Sequence, residues 1–341
     1  MKRKLIFLSL LLAFSMTNYA QEKRYALYSV AFYNLENLFD TIHDSGKNDY
    51  EYLPDGKNKW NSMKYESKLK NMSEILSFLA TDKLPMGSAV IGLSEVENRR
   101  VLEDLLKQPS LSSRGYKIIH YEGEDKRGVD CAFLYNPKFF ELQESKLVPY
   151  VYINDTIHKT RGFLIASGMM ADEKVHLIVN HWPSRGATSP ARERAGEQVR
   201  VLKDSLMAAY PNSKVIIMGD MNDDPMDKSM SVSLGAKRKM KDVGATDLYN
   251  PWWDTLKKGT GTLMYRGRWN LFDQIVISGN LLGDDRTTLK YYKNEIFRRN
   301  FMFQETGQYK GTPLRTFGGG VWLNGYSDHL PVIIYLVKEM K

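Results

Sequence analysis

Seven short apolar runs punctuate the chain: Ala26–Tyr33, Ala89–Leu93, Val129–Tyr135, Val175–Val179, Val215–Met218, Leu271–Ile277 and Leu330–Val337. Rich in β-branched and aromatic residues and bounded by polar or turn-forming ones, they read as buried strands. Between some of them the period changes to that of a helix. Lys64–Ala80 spaces Leu69, Met72, Ile75, Leu76 and Leu79 at three- and four-residue steps, and Ala191–Ala209 does the same with Val199, Leu202 and Leu206. Elsewhere strand follows strand directly, as in Gly162–Met170 and Lys174–Asn180 across the turn Ala171-Asp172-Glu173. Hairpins mixed with helical crossovers predict an α/β fold, with two mixed sheets packed as a sandwich under outer helices rather than one doubly wound sheet. No low-complexity tract, fixed-period repeat or Pro/Gly-rich linker interrupts Tyr25 to Lys341, so residues 21–341 are expected to form a single domain.

The ends of these runs carry the chemistry. Ala26–Tyr33 leads into Asn34-Leu35-Glu36, Ala89–Leu93 into Ser94-Glu95, and Lys174–Val179 into Asn180-His181-Trp182-Pro183-Ser184-Arg185. Val215–Met218 runs into Gly219-Asp220-Met221-Asn222, and Ser327-Asp328-His329 stands at the mouth of the last strand. Carboxylates, amides and imidazoles at strand ends on one rim of a sandwich converge on a crevice. Such oxygen-rich ligands favour Mg²⁺, with Mn²⁺ or Ca²⁺ as alternatives, over zinc.

Lys2-Arg3-Lys4, the apolar run Leu5–Phe14 and the small residue Ala20 have the layout of a secretory signal peptide spanning residues 1–20. The apolar run is too short for a membrane anchor. The mature protein is therefore expected to be exported, periplasmic or secreted. Three of the positive charges behind the formal net charge of +8 lie in that leader, which leaves a modest positive balance. Such a balance suits an anionic substrate such as a phosphate ester. A single cysteine, Cys131, rules out an internal disulfide and a cysteine-rich zinc site. Its apolar surroundings predict a small buried hydrophobe.

Gly-Asp-Met-Asn at 219–222, Ser-Asp-His-Leu-Pro at 327–331 and Asp273 within Leu271–Ser278 resemble the motifs of the endonuclease/exonuclease/phosphatase superfamily, in the family's order. The resemblance runs from Asn34 to His329, and the segment His181–Arg185 is similar to an exported bacterial branch. It implies a DNase I-like four-layer sandwich of two mixed β-sheets flanked by helices, and divalent-metal-dependent hydrolysis of phosphoric esters. It further implies that Glu95, with Asn34 and Asp328, lies at the metal. Asp220 and Asn222 would then orient the attacking water, His329 would be set by Asp273, and His181 would be a second imidazole at the phosphate. Asp130 is the nearest candidate for a carboxylate supporting His181 and touching substrate.

Arg185, directly after the His181 strand end, is expected to grip a substrate phosphate, whereas Arg192 and Arg194 are expected to face solvent on a helix. Trp252 and the Tyr249–Tyr265 segment read as packing, and Gly318-Gly319-Gly320 as a turn. Substrate choice falls to rim loops, here Thr41–Trp60, Gly186–Ser189 and Tyr249–Tyr265. The expected partner is a phosphate-ester substrate (a nucleic acid, a lipid headgroup or a small molecule), with no obligate protein partner. A phosphodiesterase is the favoured reading. A nuclease, a sphingomyelinase-like enzyme, a phosphomonoesterase and a non-catalytic binding module are the alternatives.

Overall fold

Alternation along the strands assembles the molecule. The computed structural model describes residues 23–340 apart from 154 and 156, so the export signal expected at residues 1–20 lies outside the described residues. Among the described residues one six-stranded sheet takes β1 (Tyr25–Leu38), β2 (Val90–Val96), β3 (Lys117–His120), β4 (Asp130–Tyr135), β14 (Lys290–Ile296) and β17 (Val332–Glu339), in the order β14-β17-β1-β2-β4-β3. A seven-stranded sheet takes β5 (Glu141–Val148), β6 (Phe163–Met170), β7 (Glu173–His181), β8 (Lys214–Asp220), β9 (Ala236–Lys237), β10 (Leu248–Tyr249) and β13 (Asp273–Ser278), in the order β5-β6-β7-β8-β13-β10-β9. Both are mixed: β1 runs parallel to β2 and β7 parallel to β8, while their other neighbours are antiparallel. Two hairpins, β11 (Leu263–Tyr265) with β12 (Arg268–Asn270) and β15 (Phe317–Gly318) with β16 (Val321–Trp322), complete the strands.

Because successive side chains point to opposite faces, every central strand serves two cores. Val30, Phe32, Phe133, Leu177, Val179, Ile216, Met218 and Ile275 point inward and fill the seam between the sheets. Tyr33, Leu93 and Leu134 point outward, beneath the helices α1 (Ser62–Phe78) and α2 (Arg99–Lys107). Ile178, Ile217 and Val276 point outward on the other side, beneath α4 (Ser189–Ala209), which follows the short α3 (Pro109–Ser112). The result is the four-layer α/β sandwich of the DNase I-like fold. Asn61 caps α1 and Asn98 caps α2, each side chain accepting a backbone N–H in the first turn.

All seven apolar runs are strands, several longer than expected. Strands β3, β5 and β14 escape the pattern because they are half-exposed and carry Lys and Glu; β5 reads Glu-Leu-Gln-Glu-Ser-Lys-Leu-Val. Trp252 is fully buried with its indole N–H donated to the Ile275 carbonyl, just before the short α5 (Trp253–Lys257). Gly319 and Gly320 turn the β15–β16 hairpin with positive φ, and Cys131 is buried in the seam. No described helix is long and apolar enough to cross a membrane.

Candidate active site

The inward rows of the seam continue to the rim, and there the apolar residue is replaced by a functional one. Two residues beyond Phe32 comes Asn34, two beyond Val179 comes His181, two beyond Met218 comes Asp220, and two before Ile275 comes Asp273. His181, Asp220 and Asp273 form one cross-strand row, since Asp220 is the register partner of both. Gly219 permits the close approach behind it: its φ is +157°, and a Cβ there would sit 2.3 Å from the Asn180 carbonyl oxygen.

Glu95 breaks the pattern. Ile91 and Leu93 face the helix layer, so regular alternation would point Glu95 away from the seam. A left-handed φ of +60° and a register shift between Ser94 and Val96 re-aim it. Its Oε1 lies 3.8 Å from His181 Nε2, and its Oε2 accepts the Asn37 N–H at 2.9 Å. Glu36, Asn37 and Asn222 also hold positive φ around the rim. Strain of this kind persists where surrounding contacts impose it, and it clusters at functional sites.

Asp220 is the hub. Its Oδ1 accepts the Asn222 N–H at 2.9 Å, and its Oδ2 accepts Asn34 Nδ2 at 3.0 Å. His181 Nε2 and His329 Nε2 stand 3.7 and 3.8 Å from that same Oδ2. Burial holds the Asp220 carboxyl up to about 7, with Asp273 adding to the shift and His329 opposing it. Asn222 also donates Nδ2 to the Trp182 carbonyl at 3.0 Å, which fixes the turn after β8.

The two histidines have opposite fates. Burial opposes a charge on His329, but Asp273, Asp220 and Asp328 outweigh it and raise the imidazole well above its ordinary range. The Asp273 contact is a hydrogen bond of 2.7 Å to Nδ1, leaving Nε2 aimed at the crevice. His181 is pushed well below its ordinary range by burial and by the positive charges of Arg161, Arg127 and His329. The surroundings thus favour the imidazolium form at His329 and the neutral imidazole at His181.

Behind the rim lies a charged relay, buried at Glu36, Thr316 and Lys68, that sequence reasoning missed. Arg315 donates to Asp328 Oδ2 at 2.8 Å and to Glu36 Oε1 at 3.1 Å. Glu36 Oε2 also accepts the Thr316 N–H and hydroxyl, and Lys68 donates to Thr316 Oγ1 at 2.7 Å. Burial, then the charge of Asp328, raises the Glu36 carboxyl to about 7; burial lowers the Lys68 ammonium to about 8.

The arrangement fits a hard divalent ion. Asp220, Asp273 and His329 each offer a ligand atom within 4.8 Å of the other two, with the Glu95 carboxylate beside His181 and the Asp328 carboxylate beside His329, while Arg315 and Lys68 offset the remaining charge. Asn34 spends its amide on Asp220 and on the Glu36 N–H, leaving one Oδ1 lone pair beyond those bonds. Asp273 Oδ1 and His181 Nδ1 are buried without a hydrogen-bond partner.

Three expectations meet a different structure. Asp130 does not support His181: alternation puts it on the helix-covered face with its register partner Val96, where it faces His120 instead. Arg192 is buried, not solvated, and pairs with Asp223 at 2.8 Å. Arg185 stacks on Phe272 and pairs with Asp223, Asp224 and Asp227 at 2.9–3.5 Å, so its charge is already engaged.

The sequence matches a family model described as "Endonuclease/Exonuclease/phosphatase family" over residues 29–338. The chain belongs to that family of phosphoric ester hydrolases. Its members typically use divalent metals, in keeping with the acid-and-imidazole rim. Among solved structures, TDP2 of D. rerio in complex with a single-strand DNA product is similar at 16% identity, covering 91% of this chain and 99% of that one (TM-score 0.54). The mannosyl-6-phosphatase of Bacteroides thetaiotaomicron is similar at 15% identity, over 91% and 99% of the two chains (TM-score 0.55). ANGEL2, a 2',3'-cyclic phosphatase, is similar at 14% identity over 95% and 100% (TM-score 0.58). At these identities the likeness is one of fold. A comparison with curated proteins finds no significant match.

Proposed function

We propose that this family member is an exported, Mg²⁺-dependent phosphodiesterase that hydrolyses its substrate by in-line attack of water. The observation that carries the reading is the pair of oppositely titrating histidines around one oxygen of Asp220. A divalent ion held by Glu95 and Asp328 would neutralise charge on a phosphoryl oxygen and on the leaving group. The chain's own residues do the rest. Asp220, held up to about 7, is a base matched to neutral pH and takes the proton of a water positioned beside Asn222 and Asn34. His329, protonated and fixed by Asp273, offers Nε2–H to the equatorial oxygens as charge builds in the transition state. His181, neutral, donates or accepts at Nε2 without adding a full charge.

A diester is favoured over a monoester on charge. Arg185, Arg315 and Arg161 are each paired with carboxylates, so the rim suits a monoanionic phosphate better than a dianionic one. Export rests on the leader at residues 1–20. The deciding assay sets bis-p-nitrophenyl phosphate beside p-nitrophenyl phosphate, with Mg²⁺, Mn²⁺ or chelator, and carries His329→Ala as control. Metal-dependent and His329-dependent diester turnover supports the proposal. Preferential monoester turnover replaces it with a phosphomonoesterase, and silence on both strengthens the binding-module alternative and calls for natural phosphodiesters as the next substrates.

A further inference from the structure

Outside the active site, one cluster of ligating side chains stands at the open end of the β3–β4 hairpin. His120 closes β3 opposite Ala132, and Glu122 follows two residues on, level with Asp130 at the start of β4. Their side chains meet on the outer face of the first sheet, on the far side from the histidines of the rim. One donor atom from each of the three lies within 4.8 Å of the other two.

The donors are short of partners. His120 Nε2 and Asp130 Oδ2 are buried, and neither has a hydrogen bond. They face each other at 3.4 Å, and the two side chains are 2% and 5% exposed. Buried polar atoms left without a hydrogen bond are costly, and a shared metal ion would satisfy both. Two ligand atoms at zinc-bonding distances of about 2.0–2.1 Å, subtending a tetrahedral angle, would lie about 3.4 Å apart. The observed separation matches that edge.

The surroundings hold this geometry in place. Asp130 Oδ1 accepts the Gly123 N–H at 3.0 Å, which turns Oδ2 toward the imidazole, and a Cβ on Gly123 would meet Oδ1 at 2.4 Å. Outer-shell bonds of this kind orient metal ligands. Glu122, with an exposed side chain and Oε1 3.8 Å from His120 Nδ1, can swing in from solvent to close the set.

We infer that His120, Glu122 and Asp130 form a second metal site, for a borderline divalent ion of the Zn²⁺ class, with water as the fourth ligand. One imidazole with two carboxylates suits such an ion, whereas the catalytic rim suits Mg²⁺, so the two sites select different metals. The ion would pin the 121–129 loop. That loop carries Asp125, paired with Arg161 at 3.0 Å, and Arg161 donates at 2.9 Å to the carbonyl of Trp182, the residue after His181. The ion would act as a clasp reaching the strand end that bears a catalytic histidine.

The test is zinc content and Zn²⁺ titration calorimetry on the full mature chain in excess Mg²⁺, with Co²⁺ absorption as a spectroscopic check. Wild type and Glu95→Gln should each hold one Zn²⁺ equivalent. His120→Ala and Glu122→Gln should bind it at least tenfold more weakly, lose the Zn²⁺-dependent rise in melting temperature, and keep diester turnover in Mg²⁺. Glu122 is exposed, so its variant remains informative if His120→Ala fails to fold. No zinc in wild type, or zinc lost from Glu95→Gln but retained by both hairpin variants, overturns the inference.

Discussion

His181 and His329 approach the same oxygen of Asp220, at 3.7 and 3.8 Å, and are driven to opposite protonation states. The difference lies in what stands behind each ring. His329 has the buried Asp273 carboxylate on Nδ1, whereas His181 has the positive charges of Arg161 and Arg127 in its surroundings. Asp273→Asn should therefore lower the His329 value and move the alkaline limb of the pH–rate profile to lower pH. His329→Ala should cost about 10²–10⁴ in kcat with little change in KM. An alkaline limb left unmoved in Asp273→Asn would show that the limb belongs to another group.

Lys68 is fully buried, and its ammonium reaches the Glu36 carboxylate only through Thr316. Removing one member of a buried charged set leaves the other uncompensated, typically at 3–5 kcal/mol. Arg315 still pairs with Glu36, so Lys68→Met is expected to cost about 3 kcal/mol. Urea denaturation checks it. A loss under about 1 kcal/mol would mean that Arg315 alone satisfies Glu36.

Gly219 admits no side chain, because its Cβ would lie 2.3 Å from the Asn180 carbonyl oxygen on the neighbouring strand. Gly219→Ala should force β7 and β8 apart just below the His181–Asp220 row. The expected cost is about 1–3 kcal/mol in stability, together with a fall in kcat larger than the loss of folded protein explains. Thermal melting and kinetics on the same preparation separate the two effects.

His176 sits in β7 far from the rim, buried, with Nδ1 2.7 Å from Ser167 Oγ. Burial, helped by Lys174, lowers it to about 4. Below pH about 6.5 the unfolded chain takes up a proton that the folded one refuses. The stability present above pH 6.5 is thus lost progressively as pH falls toward 4 and levels off below. His176→Asn should flatten that stretch of the stability curve, which denaturation at pH 7, 5.5 and 4.5 would reveal.

Much of this site could be read from the chain because its residues end strands whose apolar runs are plain. Asn34, Glu95, His181, Asp220, Asp273 and His329 all stand at such ends. Their directions could not be read as easily. Asp130 ends a run in the same way, yet strict alternation sends it to the other face, while Glu95 needs a left-handed residue to reach the seam. The relay through Arg315, Thr316 and Lys68 left no local signal, since Thr316 meets Glu36 across 280 positions of sequence. Arg185 and Arg192 looked like substrate-gripping and solvated cations. Only the fold shows Asp223 lying between them.

Because His181, Asp220 and Asp273 are the next rungs of the ladders that carry Val179, Met218 and Ile275, chemistry and cohesion draw on one set of strands. Such a catalyst has no half-working, loosened form. Loss of turnover and the red shift in emission of the buried Trp60, Trp182 and Trp252 should run together along a denaturant series, at a common midpoint.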